Sequence, residues 1–90
     1  MILWSAAELA RRRRERGLRL NHPEAVALIC DEVMERAREG ATLAEAREHG
    51  MAILTRADVL DGVPELVGIL EVESVFEDGT KLVSLRDPIR

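Results

Sequence analysis

Tyrosine is absent from this chain, and the only aromatic residues are Trp4 and Phe76. Surfaces that stack bases or sugar rings need several exposed rings, so that class of binding is excluded and the core must be aliphatic. Cysteine occurs once, at Cys30. No intramolecular disulfide can form, which removes the secreted disulfide-scaffold class. No apolar run approaches the ~20 residues needed to span a bilayer. The opening stretch Met1 to Ala7 is mildly apolar, has no basic residue ahead of it, and passes into charged sequence at Glu8. It does not read as a secretory leader. These absences lead us to expect a cytoplasmic protein with no membrane partner.

What remains is a composition suited to one small globular domain. The 90 residues are 47% apolar and 33% charged, with 13 Lys and Arg against 17 Asp and Glu for a net charge of −4. This is neither a disordered nor a collagen-like balance. We expect a single domain over residues 1–90. A domain of this size buries only about 60–65% of its unfolded surface, so a partner covering further apolar area would add stability.

The first two-thirds of the chain reads as helical. Residues 2–16 carry Ile2, Ala6, Leu9 and Ala10 at helical spacing, with Gly17 suited to the position just past the helix end. Leu18-Arg19-Leu20 reads as an extended connector. The stretch Asn21-His22-Pro23-Glu24 is the clearest helix start: Asn21 can cap, Pro23 falls in the first turn, and Glu24 stands at capping-box spacing. That helix should run to about Glu39 and stop at Gly40, with Val26, Ile29, Val33 and Ala37 as its core stripe packed against Leu9. The apolar run Ala25 to Cys30 should be covered by more than one neighbour. Thr42-Leu43-Ala44-Glu45 repeats the capping-box spacing and opens a short helix ending at Gly50. Thr55-Arg56-Ala57-Asp58 opens another, ending near Gly62, after which Val63-Pro64 breaks the pattern.

The last third reads as a hairpin, with strands at 69–76 and 80–87. Asp78-Gly79 is a strong turn signal, because both central residues of a type I′ turn need positive φ. A two-residue loop there pairs Phe76 with Lys81, Ser74 with Val83, Val72 with Leu85 and Leu70 with Asp87. It gathers Leu70, Val72, Phe76, Val83 and Leu85 on one face, and a slip of one residue would mix the faces. Val75 and Leu82 are then paired on the polar face near the tip and become candidates for contact with another chain. The fold expected is α+β: an α-rich bundle of two longer and two short helices closed by a C-terminal antiparallel β-hairpin.

The sequence offers no expected catalytic, cofactor-binding or metal-binding residue. His22 and His49 are the only imidazoles, and neither has a second ligand at metal-binding spacing. Each suits a helix terminus instead. Cys30, on an apolar helix with no basic neighbour, reads as inert core. The run Arg11-Arg12-Arg13-Arg14 invites a nucleic-acid reading, but consecutive helix residues point 100° apart and cannot all meet one phosphate groove. One or two of them should be held in ion pairs. Three helices and a hairpin also outline a winged helix, yet the recognition-helix positions carry Glu45, Glu48, Asp58 and Asp61 and the wing tip carries Glu77 and Asp78. Those charges would repel phosphate, so nucleic acid is not an expected partner.

Three stretches carry a family resemblance. They are Ala6-Ala7 leading into Arg11 to Ala25, Gly62-Val63-Pro64-Glu65, and Val72-Glu73 with Asp78-Gly79-Thr80-Lys81-Leu82-Val83 and then Pro88-Ile89. In order and spacing the chain resembles the gamma subunit of bacterial urease, from about residue 3 to residue 89. The family's first helix starts further upstream, so the helix here is expected to be the shorter one. The family also more often has proline before the Asp-Gly of the turn. The resemblance implies an α-rich domain closed by a β-hairpin, and a non-catalytic structural subunit of an enzyme that hydrolyses urea to ammonia and carbamate. It implies alpha and beta subunits as partners, a trimer of alpha–beta–gamma units, and nickel and catalytic side chains in the alpha subunit, none of them in this chain. Val75, Asp78, Gly79 and Leu82 are the expected subunit-contact residues. The alternative is a stand-alone interaction module that kept this fold without urease partners.

Overall fold

The computed structural model describes residues 2–90, with Ile2 described by its backbone alone. The elements run α1 (Ile2–Glu15), α2 (His22–Arg38), α3 (Leu43–Met51), a 3-10 turn (Arg56–Asp58), α4 (Val63–Val67), β1 (Ile69–Phe76) and β2 (Gly79–Arg86). The expected class holds: helices followed by an antiparallel hairpin. α2 is the central element. It packs against α1, α3, α4 and β1, while α3 also meets β2. Its buried residues lie on nearly every side, Ala25, Ala27, Leu28, Ile29, Val33 and Ala37 among them.

Local chemistry explains where the helices begin and end. Glu24 N–H donates to Asn21 Oδ1 at 3.0 Å and Asn21 N–H donates to Glu24 Oε1 at 2.9 Å. Thr42 and Glu45 exchange the same pair of bonds at the start of α3. Each box satisfies N–H groups that the first helical turn leaves free. At the end of α1, Leu18 N–H bonds the Arg13 carbonyl and Gly17 N–H bonds the Arg14 carbonyl, with Gly17 at φ +78°. α2 closes the same way, through Ala41 to Arg36 and Gly40 to Ala37. This double bond pattern needs a left-handed residue after the helix, which is why glycine stands there.

The first helix faces its neighbour differently from expectation. Ala7 and Ala10 are buried against the core side, whereas Leu9 is 45% exposed. The Ile2 side chain, expected in the same stripe as Leu9, lies outside the described residues. Of the expected stripe Ile2, Ala6, Leu9 and Ala10, Ala10 is buried as expected, while Ala7 takes the buried place expected for Leu9, a partial turn of the contact face. Two alanines bring α1 close to α2, and Arg11 on the same side reaches carboxylates of α2, which fixes the rotation.

Two further boundaries differ. α3 runs through Gly50, whose φ is not positive; this glycine does not end the helix but lets it touch the core. A Cβ there would meet Val33 Cγ2 at 2.6 Å and Leu85 Cδ2 at 2.9 Å. Around residues 55–62 the expected helix is only a single 3-10 turn. Val59 instead forms a parallel bridge with Leu20, in which Leu20 N–H bonds the Asp58 carbonyl and Leu60 N–H bonds the Leu20 carbonyl, both at 2.9 Å. Val63-Pro64 starts a helix rather than stopping one, because proline in the first turn loses no hydrogen bond.

The hairpin register is shifted by two from the expected one. Phe76 pairs with Gly79, Ser74 with Lys81, Val72 with Val83 and Leu70 with Leu85. The turn residues are Glu77 and Asp78, neither at positive φ, and only Gly79 is, at +124°. The turn is therefore not type I′; glycine takes the position after the two central residues. A shift of two leaves every side chain on its original face, so Val72, Phe76, Val83 and Leu85 are buried as expected.

Candidate functional site

Polar chemistry in the chain concentrates where α1, α2 and α3 meet. Arg11 Nη2 donates to Asp31 Oδ2 and to Glu32 Oε2, both at 2.6 Å. His49 Nε2, from the end of α3, stands 2.8 Å from Glu32 Oε1. Asp31 is 7% exposed, and Arg11 and Glu32 are half-buried. Partial burial works against the Glu32 carboxylate, but hydrogen bonds from His49 and Arg11 outweigh it and hold the carboxyl below its usual range. Burial likewise works against the Arg11 cation, and the two carboxylates outweigh it and raise its affinity for the proton. The four side chains edge a groove of about 470 Å³.

In this arrangement one guanidinium serves two carboxylates, Asp31 and Glu32. Every carboxylate oxygen that meets Arg11 or His49 is committed to a partner, and the group contains no nucleophile. Among the described residues no three His, Cys, Asp or Glu side chains converge as metal ligands. Cys30 is half-buried, and burial pushes its thiol up, away from the reactive thiolate. The arginine run is divided as its helical spacing requires. Arg11 serves Asp31 and Glu32, Arg13 pairs with Glu24, and Arg14 donates to the Ile53 carbonyl at 3.0 Å. His49 was expected only at a helix end; its bond to Glu32, 17 residues away, has no local sequence signal.

The expected contact residues stand on the hairpin. Val75 is 69% exposed and Leu82 is 55% exposed, on the outer face of the hairpin. In the shifted register Leu82 faces Glu73 and Val75 faces Thr80, so the two apolar side chains are diagonal rather than opposite neighbours. Ile69 extends the same face and is also exposed. At the tip, Lys81 Nζ bonds Asp78 Oδ2 at 2.9 Å and lies 5.6 Å from the centre of the Phe76 ring. Lys81 donates to Asp78 and holds its carboxyl below the usual range. Asp78 and Gly79 are exposed at the turn itself. The structure places all four expected contact residues together on the outer side of one hairpin.

A small α+β fold whose hairpin exposes apolar side chains has the character of a structural subunit. The sequence model of the family described as "Urease, gamma subunit" matches residues 1–89. "Urease subunit gamma" of Natronomonas pharaonis is 61% identical over all 90 residues, covering 83% of that relative. "Urease subunit gamma" of Corynebacterium kroppenstedtii is 56% identical over all 90 residues, covering 89% of the relative. The protein of the same name from Haloquadratum walsbyi is 53% identical over 88 residues, with 98% of this chain and 82% of the relative covered. The chain belongs to the urease gamma subunit family. It is a structural subunit of a urea-hydrolysing enzyme, and the similarity along its whole length favours that reading over a stand-alone module.

Proposed function

We propose that this chain joins alpha and beta subunits in a nickel urease assembled as a trimer of alpha–beta–gamma units. The single observation that carries the reading is the exposure of neighbouring Val75 and Leu82 on one hairpin face of a family member. Apolar side chains gathered on one strand face lose water on contact, and about 800 Å² per partner makes a standard stable interface. In this reading Val75, Asp78, Gly79 and Leu82 meet another subunit. Nickel and the reacting groups reside in the alpha subunit, and this chain supplies surface rather than chemistry. The chain acts as a single domain over residues 1–90, in the cytoplasm. No described helix is long and apolar enough to cross a membrane.

The test is co-purification with matching alpha and beta chains, comparing the parent with a Val75→Asp/Leu82→Asp double variant. Loss of the variant from the complex, with its own folding unchanged, supports the assignment. Equal recovery of the two proteins overturns it.

A further inference from the structure

The two edges of the hairpin are treated differently by the rest of the chain. Asp87 N–H donates to the Gly68 carbonyl at 2.7 Å, in register with the ladder that runs from Ile69↔Arg86 to Phe76↔Gly79. Hydrogen-bonded pairs recur at every second residue of an antiparallel ladder. Leu70, Val72, Ser74 and Phe76 therefore commit their N–H and C=O groups to β2. Those of Ile69, Glu71, Glu73 and Val75 point the other way, to the open edge of β1. By the same alternation Thr80, Leu82, Ser84 and Arg86 point to the edge of β2. Two carbonyls of that second edge are covered: Arg47 Nε donates to the Ser84 carbonyl at 3.1 Å, and Arg90 Nη2 reaches the Arg86 carbonyl at 3.5 Å. Among the described residues no group bonds the outward amides and carbonyls of Glu71, Glu73 and Val75.

A groove of about 390 Å³ runs beside the open edge, between Glu73 to Glu77 of β1 and Met34, Ala37 and Arg38 of α2. Ser74 lines it, 2% exposed, and its Oγ has no hydrogen-bond partner among the described residues. A buried hydroxyl without a partner costs stability until something reaches it. A second copy of this chain is a poor occupant. Two β1 edges laid antiparallel bring Glu71 and Glu73 against their own counterparts, and like charges across strands repel. On the β2 edge of a second copy the outward carbonyls of Ser84 and Arg86 already accept from Arg47 and Arg90, which would compete with an incoming strand.

We infer that the open edge of β1 accepts an extended strand from a different polypeptide, with Lys or Arg opposite Glu71 and Glu73 and an apolar residue beside Val75. Main-chain bonds supply the affinity and the two glutamates supply the choice of partner, the mode known as β-strand addition. The inference rests on the chain being one piece of a larger assembly, and it goes further by naming the edge and the chemistry of the strand that meets it.

Hydrogen–deuterium exchange of the free chain and of the chain co-purified with urease alpha and beta subunits tests it. In the free chain the amides of Glu71, Glu73 and Val75 exchange faster than those of Val72 and Ser74. In the complex they slow by roughly tenfold or more, as amides do when they enter a stable ladder. A complex in which these three amides keep their free rates overturns the inference while leaving the assembly reading intact. Failure of any complex to form overturns the assembly reading. The edge is then tested on the free chain with a short alternating Lys-Val peptide, against a Glu-Val control. Slowing by the basic peptide alone supports the edge assignment, and no slowing by either overturns it. Glu73→Pro removes one outward N–H without touching the ladder and abolishes the protection. Should that variant not fold, Glu71→Lys/Glu73→Lys keeps the strand and is expected to lose the partner, and unchanged binding by it contradicts the inference.

Discussion

A methyl group placed on Gly50 would stand 2.6 Å from Val33 Cγ2. α3 therefore lies against α2 more closely than any residue with a side chain allows, and it is this approach that also brings His49 to Glu32. Gly50→Ala sets two effects against each other. Helix propensity favours alanine by about 1 kcal/mol, and overpacking costs about 1–3 kcal/mol. Both neighbours are buried and have little room to give, so net destabilisation is expected in urea titration. A gain in stability would mean that Gly50 is only a helix-weakening residue.

The α1–α2 contact yields a paired prediction. Ile29→Ala, at a fully buried position, should cost about 2–5 kcal/mol. Leu9→Ala, on the outward face of α1, should change stability by less than about 0.5 kcal/mol. Chemical denaturation of the two variants measures both. A large loss at Leu9 would contradict the rotation of the helix.

Arg11 is predicted to matter through Asp31. Arg11→Ala leaves a nearly buried carboxylate without its partner, and the loss should be about 1–3 kcal/mol. Adding Asp31→Asn should recover part of it, because the stranded charge is then removed. Additive losses in that double variant would show that the two side chains do not act as a pair.

Glu32 gives the chain an acid-sensitive contribution. Its folded carboxyl titrates below the ordinary value of 4.5. A depressed folded value stabilises the protein above the unfolded value, and the stabilisation fades as pH falls through the folded one. Between pH 6 and strongly acidic solution the parent should lose more stability than Glu32→Gln. Equal losses would contradict the bonds from Arg11 and His49.

The parts legible in sequence are those governed by short-range rules. Asn21 with Glu24 and Thr42 with Glu45 announce helix starts because both partners of each box lie within one turn. Gly17 and Gly40 announce helix ends for the same reason. The face of the hairpin was legible but its register was not, since a shift of two preserves the alternation of Val72, Phe76, Val83 and Leu85. Asp78-Gly79 suggested a type I′ turn, and only the backbone angles reveal that Gly79 alone takes positive φ. On α1 Ala10 is buried as its spacing predicts, but bulk pointed to Leu9 where close helix approach buries Ala7 instead. The Arg11–Glu32–His49 group was hidden by its 21- and 17-residue separations, which no local pattern reports. The candidate residues Val75 and Leu82 are visible in sequence as apolar exceptions on a polar strand face, and the open edge beside them is not, because hydrogen bonding of edges depends on register.

The central claim is that this chain contributes structure, not reacting groups, to a urea-hydrolysing assembly. Its most direct test is to co-express matching alpha and beta chains with and without this one, then measure complex size and ammonia release from urea. The account predicts that omission of this chain leaves the complex incomplete and lowers its activity, and that the isolated chain releases no ammonia. An intact, equally active enzyme without it, or ammonia release by the chain alone, would contradict the account.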